Sequence, residues 1–79
     1  MTSIRVALVG AGVIARTHAQ IAHAHDALTL AAIIDPVLTA AQTLADETPV
    51  DNPTPAVFGS LTEALRAASY DLVVITTPS

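Results

Sequence analysis

Two features of this 79-residue chain have residue types and spacing suited to holding a phosphorylated ligand. The first is Gly10-Ala11-Gly12-Val13-Ile14-Ala15, a G-x-G-x-x-A pattern that directly follows the aliphatic run Ile4 to Val9. In a strand-to-helix turn, Gly10 permits the tight reversal, Gly12 lets backbone approach a pyrophosphate, and small Ala15 lets the helix pack close to the strand. The pyrophosphate would rest on free N–H groups at the positive end of a helix dipole, with Ala11, Val13 and Ile14 making up the rest of the turn. A glycine-rich turn of this kind also serves packing alone. The second feature is Asp35, 20 residues beyond Ala15. Dinucleotide-binding chains place an acid there to accept hydrogen bonds from the adenosine ribose hydroxyls. The plain structural alternative is an Asp that caps the following helix.

A carboxylate at position 35 repels a ribose 2′-phosphate, and no Arg or Lys lies between Arg16 and Arg66 to neutralise one. NAD(H) is therefore expected in preference to NADP(H). FAD-binding folds share the glycine turn and commonly use a carboxylate at the same place, so flavin stands as an alternative. A third candidate is Thr76-Thr77-Pro78, at the end of the apolar run Leu72 to Ile75. In an open parallel sheet that exit would lie beside the glycine turn, across the crevice where ligands bind. Its hydroxyl and backbone groups would face the nicotinamide half, unless the segment is simply a strand end closed by proline.

Three histidines invite a metal hypothesis, which their spacing rejects. His18 and His25 share a helical face but stand seven residues apart, about 10 Å along a helix. His23 falls on roughly the opposite side. No metal site is expected, and no catalytic set of Ser/His/Asp or paired carboxylates can be assembled. His18 is expected to be a hydrogen-bonded structural residue, His23 to be solvated, and His25 to favour a helix C-terminus as a cation.

The elements that must position these residues alternate along the chain. Ile4 to Val9 reads as a strand buried on both faces. From Val13, the residues Ile14, His18, Ile21 and His25 recur with helical spacing and predict a helix of about three turns, ending near Asp26, with that face inward. Leu28 to Ile34 is a second strand, stopped by Asp35-Pro36. Leu38, Ala41, Leu44 and Ala45 mark a second helix, and residues 47–55, with three prolines, form the longest loop. Ala56 to Phe58 is a brief strand. Ser60 and Glu63 have capping-box spacing and open a third helix to about Ala68, with Leu61, Ala64, Leu65 and Ala68 inward. Leu72 to Thr76 closes the series as the most strand-like segment.

Strand and helix in alternation predict an α/β fold, a Rossmann-type parallel sheet with flanking helices and strand order 3-2-1-4. Such a sheet normally continues to further strands, and a last strand left bare is a liability that proteins usually cover. The chain, residues 1–79, is therefore expected to be the N-terminal part of a dinucleotide-binding domain, with a substrate domain lying elsewhere.

Composition narrows the partners. Apolar residues make up 52% of the chain and charged residues 13%, a balance that favours a packed core over disorder. Sixteen residues are Ala, and the aromatics are Phe58 and Tyr70 alone. The net charge is −4, with three arginines and no lysine. Nucleic-acid binding needs clustered cations, so it is not expected. A membrane span needs about 18 or more consecutive apolar residues, and no run approaches that. The N-terminus imitates a secretory signal around Ala22-His23-Ala24, but two glycines interrupt its apolar stretch. The absence of cysteine excludes disulfide staples and thiolate chemistry and fits a reducing, cytoplasmic setting.

Ile4 to Ala15, His18, Asp35-Pro36, Ala56 to Ser60 with Glu63, and Asp71 to Pro78 together resemble the glucose-fructose oxidoreductase, inositol dehydrogenase and rhizopine-catabolism (Gfo/Idh/MocA) family. The resemblance runs over essentially the whole chain. It implies an NAD(P)-dependent oxidoreductase that moves a hydride between nicotinamide and a hydroxyl or carbonyl carbon of a sugar, polyol or cyclitol. It also implies a homo-oligomer built through a C-terminal sheet domain. The family's Glu-Lys-Pro segment and its general acid/base from the second domain have no counterpart here, and Ser79 replaces the usual Asn after Thr-Pro. No catalytic residue is carried over, and residues 1–79 alone are expected to be inactive. The alternatives are a non-catalytic dinucleotide-binding or NAD-sensing module and a remnant that no longer folds stably.

Overall fold

Aliphatic and β-branched runs form the strands, and alanine-rich segments form the helices that cover them. The computed structural model describes residues 3–76. Its elements are β1 (Ile4–Val9), α1 (Val13–Ala24), β2 (Leu28–Ile34), α2 (Leu38–Asp46), β3 (Ala56–Phe58), α3 (Leu61–Ala67) and β4 (Leu72–Ile75). The strands make one parallel sheet in the order β3-β2-β1-β4, the expected opening of a doubly wound fold. Parallel neighbours cannot be joined by hairpins, so each connection carries a helix across a face of the sheet.

The two faces differ in cover. On one, Val6 and Leu8 of β1 and Leu30 and Ile33 of β2 pack with Ala15, Ala19 and Ala22 of α1 and with Ala41, Leu44 and Ala45 of α2. On the other, Ala7, Ala32 and Ile34 meet Ala64 of α3, with Phe58, Leu61 and Tyr70 at the margin. Leu8, Ile33 and Ile34 are the largest fully buried side chains, and each contributes about 1.5–3 kcal/mol by leaving water. No polar or charged residue is fully buried among the described residues, although the Oγ1 of half-buried Thr48 is enclosed without a hydrogen-bond partner.

The pairing of β1 with β2 shifts register between Val6 and Ala7, whose partners are Leu30 and Ala32. Ala31 is the extra residue of this β-bulge. It lets Leu30 and Ile33, an odd number of positions apart, enter the same core layer. Beyond the bulge, Leu8 pairs with Ile33 and Val9 with Ile34, and the two strands leave the sheet in step.

The face of α1 differs from the expected one. Ile14 and Ile21 are 63% and 52% exposed, and His18 and His25 are exposed as well. The buried row is Ala15, Ala19 and Ala22. Alanines allow the helix axis to approach the sheet closely, and the bulkier row is turned to the side where no helix of the described chain lies. The helix ends at Ala24, with His25 as its C-cap, slightly before the expected Asp26. His23 is half-buried, not solvated. Asn52 Nδ2 donates to the His23 carbonyl at 3.3 Å and lies 3.4 Å from its ring Nδ1. Burial lowers the His23 pKa from its ordinary 6.5, because the charged ring loses hydration. Leu38 is exposed in α2, and in α3 only Ala64 is buried while Leu65 is exposed. Ser60 caps α3 as expected, its Oγ accepting from Glu63 N–H at 3.2 Å, but the helix ends at Ala67 with Ala68 as its C-cap.

At the entry to β4, Asp71 clasps β1. Its Oδ2 accepts from Arg5 N–H at 2.9 Å, and its own N–H donates to the Arg5 carbonyl at 2.8 Å. No helix among the described residues is long and apolar enough to cross a membrane.

Candidate functional site

The ends of β1, β2 and β4 converge on a cavity of about 410 Å³ lined by Gly10, Ala11, Gly12, Val13, Ile14, Asp35 and Thr76. These are the sequence-derived candidates that fall among the described residues. Thr77 and Pro78 lie outside the described residues. Parallel register brings the three segments together, since all three strands run the same way and end at one edge of the sheet.

Gly10 has φ 103°, in the region that L side chains rarely enter, so glycine is required for the chain to turn out of β1. Its N–H donates to the Ile34 carbonyl at 2.7 Å, which ties the turn to β2. Gly12 is a different case. It is the N-cap of α1 with φ −84°, an ordinary conformation, and a Cβ built there meets nothing within 4 Å. Neither strain nor the protein's own packing requires glycine at this position. What its missing side chain leaves is open space in front of the helix N-terminus.

That N-terminus is unsatisfied. The first turn's bond is Arg16 N–H to the Gly12 carbonyl at 3.1 Å, so the N–H groups that precede it have no intrahelical acceptor. No side chain caps them and no acidic residue sits in the first turn. Donors and dipole thus meet the cavity uncompensated, the arrangement that favours an anion. Val13 and Ile14, both exposed, form the apolar part of the wall.

Asp35 stands at the opposite side, on the exit of β2. Its Oδ2 accepts from Ala11 N–H at 3.0 Å and its Oδ1 from Val37 N–H at 2.8 Å. The second contact is a local turn bond to the N-cap residue of α2, whose cap makes no side-chain hydrogen bond, so Asp35 does not cap the helix as the plain structural reading expects. A carboxylate has about four acceptor sites on its two oxygens, so these bonds leave capacity for ribose hydroxyls. Thr76 lies beside the turn, as expected for the β4 exit, but its hydroxyl donates to the Val9 carbonyl at 2.9 Å. Sequence reasoning had no signal for this bond, nor for Asp35 with Ala11, because each depends on strand register. No group of three or more His, Cys, Asp or Glu side chains placed to hold a metal ion occurs among the described residues.

Comparison with known proteins bears on this geometry. The model of an oxidoreductase family with an NAD-binding Rossmann fold, Gfo/Idh/MocA, matches residues 4–79. Comparison with curated proteins gives no match. Among solved structures, the WlbA dehydrogenase from Chromobacterium violaceum, in complex with NADH and UDP-GlcNAcA, is 32% identical with a TM-score of 0.87, over 100% of this chain and 22% of that one. GenD2 from gentamicin A biosynthesis, in complex with NAD, is 26% identical with a TM-score of 0.87, over 100% and 21%. A myo-inositol dehydrogenase from Corynebacterium glutamicum is 32% identical with a TM-score of 0.73, over 96% and 21%. The chain spans about a fifth of the length of these structures.

Proposed function

Because the chain belongs to the Gfo/Idh/MocA family of oxidoreductases with an NAD-binding Rossmann fold, we propose that it forms the N-terminal, cofactor-holding part of an NAD(H)-dependent dehydrogenase. Its substrate class is a sugar, polyol or cyclitol, the class to which the inositol and UDP-sugar ligands or names of the similar structures belong. Residues 1–79 are read as part of the dinucleotide-binding domain, with the substrate domain outside this chain. The share of the similar structures that the chain spans, about a fifth, supports that reading. The full protein is read as a homo-oligomer.

The observation that carries the proposal is Gly12. An unstrained glycine with empty space where its Cβ would be, at an uncapped helix N-terminus, fits a ligand that needs close backbone approach. When bound, the nicotinamide would supply hydride transfer. This chain's own residues bind and orient. The N–H groups at the start of α1 hold the pyrophosphate, the glycine turn excludes side-chain bulk from its path, and Asp35 accepts from the adenosine ribose. The Asp35 charge and the absence of a cation between Arg16 and Arg66 disfavour a 2′-phosphate, so NAD(H) is preferred to NADP(H).

Calorimetric titration with NAD+ and NADP+ tests this reading. NAD+ should bind the more tightly, Gly12→Val should abolish binding by filling the space before α1, and Asp35→Ala should weaken it. Equal affinity of all three proteins for NAD+ would remove the site assignment. The proton-transferring groups are placed outside residues 1–79, so purified protein of this length should show no NAD-dependent turnover.

A further inference from the structure

The glycine turn is pinned from both flanks by the side chains that line its cavity. On the β2 side, Asp35 Oδ2 holds Ala11 N–H at 3.0 Å. On the β4 side, Thr76 donates both its hydroxyl and its N–H to the Val9 carbonyl, each at 2.9 Å. Between them sits Gly10, at φ 103°, with its N–H on the Ile34 carbonyl. Glycine enters positive φ about as readily as negative φ, so its conformation alone does not fix the turn, and the constraints enter from both neighbouring strands. A carbonyl oxygen has two lone pairs, so two donors saturate Val9 and fix the peptide plane that leads into the turn. Ala11 N–H is likewise already engaged, which leaves the N–H groups at the start of α1 as the free donors of the turn.

We propose that Asp35 and Thr76 are positioning residues, which together set the glycine turn in its binding geometry before any ligand arrives. The inference rests on the reading of that turn as the pyrophosphate site. It assigns Thr76 a different part from the one its location at the crevice implies, because its hydroxyl is engaged with the turn and not with the nicotinamide. It also gives Asp35 two tasks, one toward the turn and one toward the ribose, so the carboxylate is worth more than its ligand contacts alone.

The test uses Thr76→Val, Thr76→Ser and Asp35→Ala in the full-length protein, with two readouts. The first is affinity for NAD+ and for ADP, which carries the pyrophosphate and adenosine but no nicotinamide. Thr76→Val should weaken both ligands by the same factor, about three- to tenfold for one lost hydrogen bond, and Thr76→Ser should restore both. Weakening of NAD+ with ADP unchanged would assign the hydroxyl to the nicotinamide and overturn the proposal, as would no change in either. Thr76→Ala adds no bulk and replaces Thr76→Val if the valine disturbs the sheet.

The second readout is amide hydrogen exchange in the ligand-free protein. Asp35→Ala, which removes the acceptor, should speed exchange at Ala11 while Leu8 and Ile33, deep in the sheet, keep their protection and report that the fold is intact. Unchanged exchange at Ala11 would overturn the Asp35 half. Should the unmodified protein bind neither ligand, the site reading fails on its own, and exchange at Ala11 still decides whether the turn is held as proposed.

Discussion

Strands β2 and β4 are both aliphatic, both parallel to β1 and both hydrogen-bonded to it, yet their surroundings differ sharply. In β2, Ile33 and Ile34 are 0% and 2% exposed, whereas Ile75 of β4 is 67% exposed. The difference lies in cover. β2 has α1 and α2 on one face, α3 on the other and a strand at each edge. Among the described residues β4 has one free edge, and Ile21, His18, Leu72 and Val74 line an apolar recess beside it. Residue type therefore specifies a strand, while burial depends on what the rest of the chain places over it. β2 is the finished half of the sheet, and β4 is held by its pairing with β1 along one edge.

The comparison can be broken most strongly at its buried side. Ile33→Ala should destabilise the fold by about 2–5 kcal/mol, the range for truncating a fully buried aliphatic side chain, as read by urea denaturation. A cost below about 1 kcal/mol would mean that β2 is not the packed centre of the sheet.

Next in size is the clasp at the entry to β4. Asp71→Ala removes the acceptor for Arg5 N–H and should cost about 0.5–1.5 kcal/mol. Hydrogen exchange should show the loss concentrated in β4, with β2 amides unmoved. Equal acceleration in both strands would show that β4 does not open separately.

A smaller effect on the covered side depends on pH. Burial lowers the pKa of His23 below 6.5, so the unfolded chain takes up this proton before the folded one does. The contribution of His23 is fully present above pH 6.5 and is lost as pH falls through its lowered folded value. Protonation also places an N–H on Nδ1, 3.4 Å from the Asn52 amide, while Arg16 and Glu47, already paired with each other at 2.9 Å, line an adjoining cavity. His23→Gln should flatten the pH dependence of thermal stability below pH 6.5. An unchanged slope would exclude His23 as its source.

The smallest effect belongs to Ile75→Thr. An exposed residue on an open strand should change stability by no more than about 0.5 kcal/mol, with lower self-association as the visible gain, since bare strand edges template pairing between chains. A loss comparable to that of Ile33→Ala would show that β4 is covered in solution.

Strand positions and sheet order were legible in the sequence because apolar runs of strand length are bounded here by unambiguous breakers, Gly10 and Asp35-Pro36 among them. The members of the cavity were legible for the same reason, since a parallel sheet brings all strand exits to one edge. The inward face of α1 was not. Ile14, His18 and Ile21 follow helical spacing as well as Ala15, Ala19 and Ala22 do, and a periodicity argument weights the larger side chains. The sheet selects the smaller ones, because only they admit the helix to close range. The bonds within the site were also illegible. Asp35 reaches Ala11 and Thr76 reaches Val9 across strand pairs whose register is set by tertiary packing, including a bulge that no local pattern announces.

Ala31 gives that bulge a meaning for how such motifs are counted. The distance along the chain from the glycine turn to the acid is a contour length, while the site depends on where the acid ends up in space. One residue of the contour is absorbed at Ala31 without advancing β2 along β1. A related chain with a flat second strand would reach the same geometry with one residue fewer, and one with a second bulge would need one more. The interval between Ala15 and Asp35 is thus a sum in which pleat and bulge are separate terms, and relatives whose intervals differ by a single residue can still present the same carboxylate to the same turn.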